Sequence, residues 1–173
     1  MAIYRMYNGA MPTTAKLAAV STGTGIKTLL QVKPSATKTA KIKEWGFKCS
    51  APASAALAVI ELLQTDVAAT VTAFVANDIH KIDHDAMLGG DPTTNLIQVG
   101  TTSSGYTASG EGSITAVRLF DHLLNTLPST NGYEFVKQYP LGTEPVIEIA
   151  KFARIRVHMG VDVTAVCYMD VEV

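Results

Sequence analysis

ARIRVHM, residues 153–159, runs through GVD (160–162) into VTAVCYMDVEV (163–173). In the first stretch Ala153, Ile155, Val157 and Met159 alternate with Arg154, Arg156 and His158. A period of two marks a strand with one face in a core and the other, here cationic, towards solvent. In the second, Val163, Ala165, Cys167, Met169 and Val171 share a face, and Thr164, Tyr168, Asp170 and Glu172 lie opposite. Two such strands joined by a short glycine-containing link predict a β-hairpin.

Upstream the same grammar recurs. IKTLLQV (26–32), TAKIKEWGFKC (39–49), ALAVIELLQT (56–65), GSITAVRLFDHL (112–123), YEFVKQY (133–139) and PVIEIA (145–150) read as strands. PLGTE (140–144) is a turn. The 39–49 stretch changes phase, because Lys41 and Lys43 share parity with Trp45 and Phe47, and a bulge near Glu44 or Gly46 repairs it. DVAATVTAFVAND (66–78) is the one helical candidate. Long connections are expected at 77–95 and 100–113. The expected fold is all-β: a jelly-roll-like antiparallel β-sandwich over residues 26–173, with at most one short helix. Residues 1–25, with NGAMPTT and STGTG, read as an extended N-terminal arm whose first 14 residues are dispensable for folding.

Composition sets the bounds. A chain of 173 residues holds one domain with a sizeable core. Charged residues are 17%, below the roughly 25% usual in soluble domains, which fits a large core or a surface reserved for a partner. The longest apolar run, 55–60, is too short for a membrane span, and the N-terminus shows no secretory pattern. Cys49 and Cys167 lie far apart in apolar surroundings and read as free buried thiols.

Charge is segregated along the chain. Residues 1–48 carry eight basic residues (Arg5, Lys16, Lys27, Lys33, Lys38, Lys41, Lys43, Lys48) against one acid, Glu44; the remainder holds six basic and fourteen acidic residues. Either the two parts neutralise each other within the subunit, or a basic segment meets an acidic surface on another protein. Nucleic acid is a poor candidate for that surface: from Lys16 to Lys48 only Trp45 and Phe47 are interleaved aromatics, and no recognition helix is evident.

Candidate chemistry is sparse. NDIHKIDHD (77–85) sets His80 and His84 four residues apart beside Asp78, Asp83 and Asp85. Lys81 intrudes, however, and no ligand from a second rigid element joins them, so no metal site is expected. STGTGIKT (21–28) fails as a phosphate loop because Ile26 separates Gly25 from Lys27. SGYTASGEGS (104–113) lacks the GxSxG spacing. Glu61, Glu134 and Glu148 form no evident carboxylate pair. Neither a catalytic group nor a cofactor is expected.

The strand series as a whole, with EWGF (44–47) and QYPLGTEP (138–145) as its most specific pieces, resembles a family of capsid decoration, or cement, proteins of tailed bacteriophages. The resemblance runs over roughly residues 15–173. It implies a non-enzymatic homotrimer that binds the phage major capsid protein on the capsid exterior, assembled in the host cytoplasm, with no membrane partner. The basic segment and the sole tryptophan then suggest Arg5, Lys16, Lys27, Lys33, Lys41, Lys43 and Trp45 as capsid or subunit contacts. The rival readings are a jelly-roll receptor- or glycan-binding module, which would carry aromatics on its loops, and a hydrolase on a β scaffold.

Overall fold

Strands β12 (Phe152–Met159) and β13 (Thr164–Glu172) form where expected, with their inward residues buried. Arg154, placed on a solvent face by its alternation, is buried too, as are Asp170 and Glu172. The two strands do not pair with each other. Each lies inside a different sheet. β12 pairs with β3 (Ile26–Val32) and β5 (Ala56–Thr65), whereas β13 pairs with β4 (Ala40–Cys49) and β1 (Ile3–Tyr7). The link between them bonds elsewhere: Gly160 N–H donates to the Leu57 carbonyl, and Val163 exchanges hydrogen bonds with Thr22. A connection whose polar groups are satisfied by third parties can cross between sheets, and this one does. The hairpin expectation is therefore corrected to a sheet-to-sheet crossover.

This computed structural model describes residues 2–82 and 96–173. The remaining strands are β2 (Val20–Ser21), β6 (Thr70–Ala73), β7 (Ile79–Lys81), β8 (Gly105–Gly110), β9 (Val117–Leu127), β10 (Tyr133–Gln138) and β11 (Val146–Ile147). The first sheet runs β10-β4-β13-β1-β7, with β11 added to β4 and β2 to β13; the second runs β6-β8-β3-β12-β5-β9. All strand pairs are antiparallel, and the two sheets pack as a β-sandwich. Met6, Trp45, Phe47, Ile60, Leu62, Ile155, Val157, Cys167 and Met169 fill the space between.

The β4 bulge falls beside the expected place. Asp170 pairs with Glu44 and Val171 with Ile42, so Lys43 is the extra residue. It turns the inward parity from Ala40 and Ile42 to Trp45, Phe47 and Cys49.

Three expectations are corrected. Residues 3–7 are no arm but a strand between β13 and β7, with Tyr4 and Met6 buried; deleting residues 1–14 would remove an internal strand. The helix expected at 66–78 is strand β6 followed by one 3-10 turn, Ala76–Asp78, because the β-branched Thr70 and Thr72 pair with β8 while the Val71 amide bonds the Thr101 carbonyl. The loop expected at 100–113 contains β8. Gly105 fits there because a Cβ would stand 2.1 Å from the Thr72 carbonyl oxygen.

Candidate functional site

Strand pairing neutralises much of the charge segregated along the chain. β1 and β4, which carry basic residues, lie against acidic β13. Arg5 donates to both carboxylate oxygens of Asp170 at 2.7 and 2.6 Å and stands 3.4 Å from Glu44. Its guanidinium lies 4.4 Å over the Tyr168 ring, and the Tyr168 hydroxyl donates to Glu44 at 2.5 Å. The bond to Asp170 strengthens proton retention on Arg5; burial, then Glu44, pushes the Tyr168 hydroxyl above its ordinary range. Lys43 donates to buried Glu144 at 2.5 Å and lies 3.6 Å from Glu172.

The expected contact residues separate accordingly. Trp45 is 0% exposed and packs on Phe135 with ring centroids 5.1 Å apart, so it anchors the core of its own subunit and leaves the contact set. Arg5 and Lys43 are held by internal carboxylates. The Lys27 ammonium donates to the Ser21 carbonyl, and Lys33 lies over the Phe152 ring. Lys16 and Lys41 are exposed. No single patch unites the seven.

The look-alike motifs have internal roles. Asp162 accepts from the Gly23 amide at 2.7 Å and from the Ser21 and Thr22 hydroxyls, so a carboxylate of this chain already fills the amide-lined turn at 21–25. Asp78 is buried and accepts from the Met11 and Val75 amides; His80 lies in β7 opposite Arg5. Asp83, His84 and Asp85 lie outside the described residues. Among the described residues no cluster of three metal-ligating side chains occurs, and no helix is long and apolar enough to cross a membrane. Both cysteines are free and buried, and burial raises their thiol pKa values, which makes them inert. Tyr106 packs on Phe74 at 5.5 Å and is no loop-tip platform.

Two outer faces remain. On the second sheet, Leu124, Val59, His158 and Ile26 stand in register across β9, β5, β12 and β3. Leu124 is 62% exposed, and Ile26, Leu57, Val117 and Leu119 are each more than half exposed. β9 supplies three of these side chains and is the last strand of this sheet among the described residues, so its outer edge has no strand partner there. Sequence periodicity marks this stretch as a strand; it could not show that nothing in the described chain covers its outer face. On the first sheet, Val136, Gly46, Tyr168 and Tyr7 form a row across β10, β4, β13 and β1. Gly46 permits Tyr168 to lie across β4, since a Cβ there would meet the ring at 2.3 Å. Beside that ring is a mainly apolar groove lined by Gly46, Val136, Val166, Lys48 and Glu134.

Carboxylates that hold the scaffold set its pH response. The hydrogen bond from Lys43 holds the Glu144 carboxyl at about 2, and that from the Thr115 hydroxyl, helped by the Ala116 amide, holds Asp66 at about 2. Both values lie below the roughly 4 of an unfolded chain, so the stabilisation is complete above that value and is lost as pH falls through 2. The melting temperature followed by circular dichroism should stay level from pH 7 to about 5 and fall between about 4 and 2. Glu144→Gln should lower it at neutral pH and flatten that fall; a melting temperature that rises on acidification contradicts the assignment.

No protein-family model matches this chain, and no curated protein matches its sequence.

Proposed function

We propose that this chain is a non-enzymatic coat subunit that decorates the exterior of a phage capsid as a homotrimer, binding the major capsid protein. The exposed apolar side chains on the outer face of the second sheet, Leu124, Leu119, Val117, Leu57 and Ile26, carry the reading. Monomeric proteins rarely expose contiguous apolar patches beyond a few hundred Å² without a use for them. Covering such a patch at about 25 cal/mol per Å² contributes several kcal/mol per subunit before association costs. Repetition of that contact over a lattice, with three subunits per unit, multiplies its effect through avidity. The sequence resemblance points the same way, and the exposed Lys16 and Lys41 add a salt-sensitive component to docking.

Co-sedimentation with purified capsids tests this. Wild-type protein should pellet with capsids, and multi-angle light scattering should give about three times the 18.4 kDa chain mass. Leu124→Asp, on an exposed position, should leave the fold intact and weaken capsid binding at least tenfold. Full capsid binding by that variant would refute the assignment of this face.

A second reading, a glycan-binding module of a virion, draws support from the Tyr7 and Tyr168 rings, 5.8 Å apart beside Glu44 and Asp170. A glycan array with Tyr7→Ala as control separates the two.

A further inference from the structure

Leu141 is the most exposed large apolar side chain in the described structure, at 87%. The turn beneath it is closely held. The Thr143 amide and hydroxyl both donate to the Pro140 carbonyl, at 3.0 and 2.8 Å, and the Gly142 amide donates to Glu144 Oε2 at 2.7 Å. Glu144 Oε1 takes the Lys43 ammonium at 2.5 Å, while Tyr139 N–H donates to the Lys43 carbonyl and Ile42 N–H to the Pro145 carbonyl. Gly142 has φ +90°, a conformation that side-chain-bearing residues rarely adopt. A part-buried ion pair and five hydrogen bonds thus present one leucine to water. Such a preorganised apolar knob loses little entropy on docking.

We propose that Leu141 of one subunit seats in the groove over Gly46, beside Tyr168 and Val136, on a second copy of the chain. This rests on the self-association in the reading above and not on capsid binding. Glu134 and Val136, in the middle of β10, line the groove, and the turn that carries Leu141 follows the strand's last residue, Gln138. A short strand therefore holds them apart, and a subunit cannot fill its own groove. The contact is head-to-tail, the kind that closes into a ring when repeated about an axis. Charge favours the same pairing. Exposed Lys41 pairs with Val146 at the foot of the turn, and exposed Glu134 stands on the groove rim. The Glu134–Lys48 pair at 3.4 Å is solvent-facing and weak enough to be shared. One leucine does not make a stable dimer; a ring in which every subunit gives and receives a knob couples the contacts.

Light scattering over a concentration series tests it, with thermal melts to confirm folding. Leu141→Asp and Val136→Arg, both at exposed positions, should each remain folded and raise the self-association constant for dissociation at least tenfold. Mixing the two variants should give at most a weak two-chain association and no ring, because only one intact knob–groove pair can form and one leucine does not hold two chains stably. Lys41→Glu should weaken assembly, and adding Glu134→Lys should recover it. A monomeric wild-type protein at every concentration would overturn both this interface and the self-association it rests on. An L141D ring as stable as wild type would overturn the interface alone. If that ring also lost capsid binding, the occupant of the groove's partner role would be the capsid and the second copy would be excluded.

Discussion

Arg154→Ala should destabilise the protein by about 3–5 kcal/mol, as much as truncating a core residue, because it removes a fully buried guanidinium that pairs with part-buried Glu111. Arg154 is 0% exposed. Its Nη1 donates to the Glu111 carboxylate and carbonyl, both at 3.1 Å, and its Nη2 donates to the Val67 carbonyl. Glu111 also accepts from the Thr28 amide and hydroxyl, at 2.5 and 2.6 Å. The guanidinium thus ties the β5–β6 and β8–β9 connections down onto the second sheet. Alanine would leave the Val67 carbonyl unpaired and Glu111 without its counter-charge. Arg154→Met, close in volume, should recover part of the loss when combined with Glu111→Gln. Arg156→Ala is the control. Arg156 bonds Glu61 at 2.8 Å in a partly solvated position, so its removal should cost about 0–1 kcal/mol. Urea unfolding measures both, and a larger loss for Arg156 would show that the clamp does not bear on stability.

Trp45→Ala should cost about 3–5 kcal/mol, the range for emptying a large buried aromatic site. The side chain is wholly enclosed between the sheets and stacks at a tilt on Phe135 of β10. Against a total stability of about 5–15 kcal/mol this is a large fraction, and at about 2–4 °C per kcal/mol the melting point should drop by roughly 6–20 °C. An interface role makes the opposite forecast: a variant with unchanged melting temperature as a monomer and lost assembly. Because Trp45 is the sole tryptophan, Trp45→Phe removes the chain's tryptophan emission and supplies a milder second variant.

The positions of the strands and their inward residues were legible in the amino-acid order. Alternation is a local property, set by residues two apart, and it located β3, β4, β5, β10, β12 and β13, and a parity change in β4 that it put near Glu44 or Gly46 and that falls at Lys43. The inward set of β13, from Ala165 to Val171, follows from the same rule. Alternation also marked IYRMY at 3–7, but its position among arm-like neighbours hid it. Partner choice is non-local, and there the order of residues was silent. A short glycine link serves a hairpin and a crossover equally well; the eight- and nine-residue strands beside it were placed in separate sheets by the neighbours each acquired. Alternation likewise divides a strand into two faces but cannot say what passes over the outer one. Arg154 and Arg156 share a face, yet the 66–69 and 110–112 segments cover the first and leave the second near water. Charge segregation along the chain became pairing across it, because strands distant in sequence lie about 5 Å apart in a sheet. The exposed apolar row and the groove over Gly46 arise the same way, from side chains on four strands whose register only tertiary pairing sets.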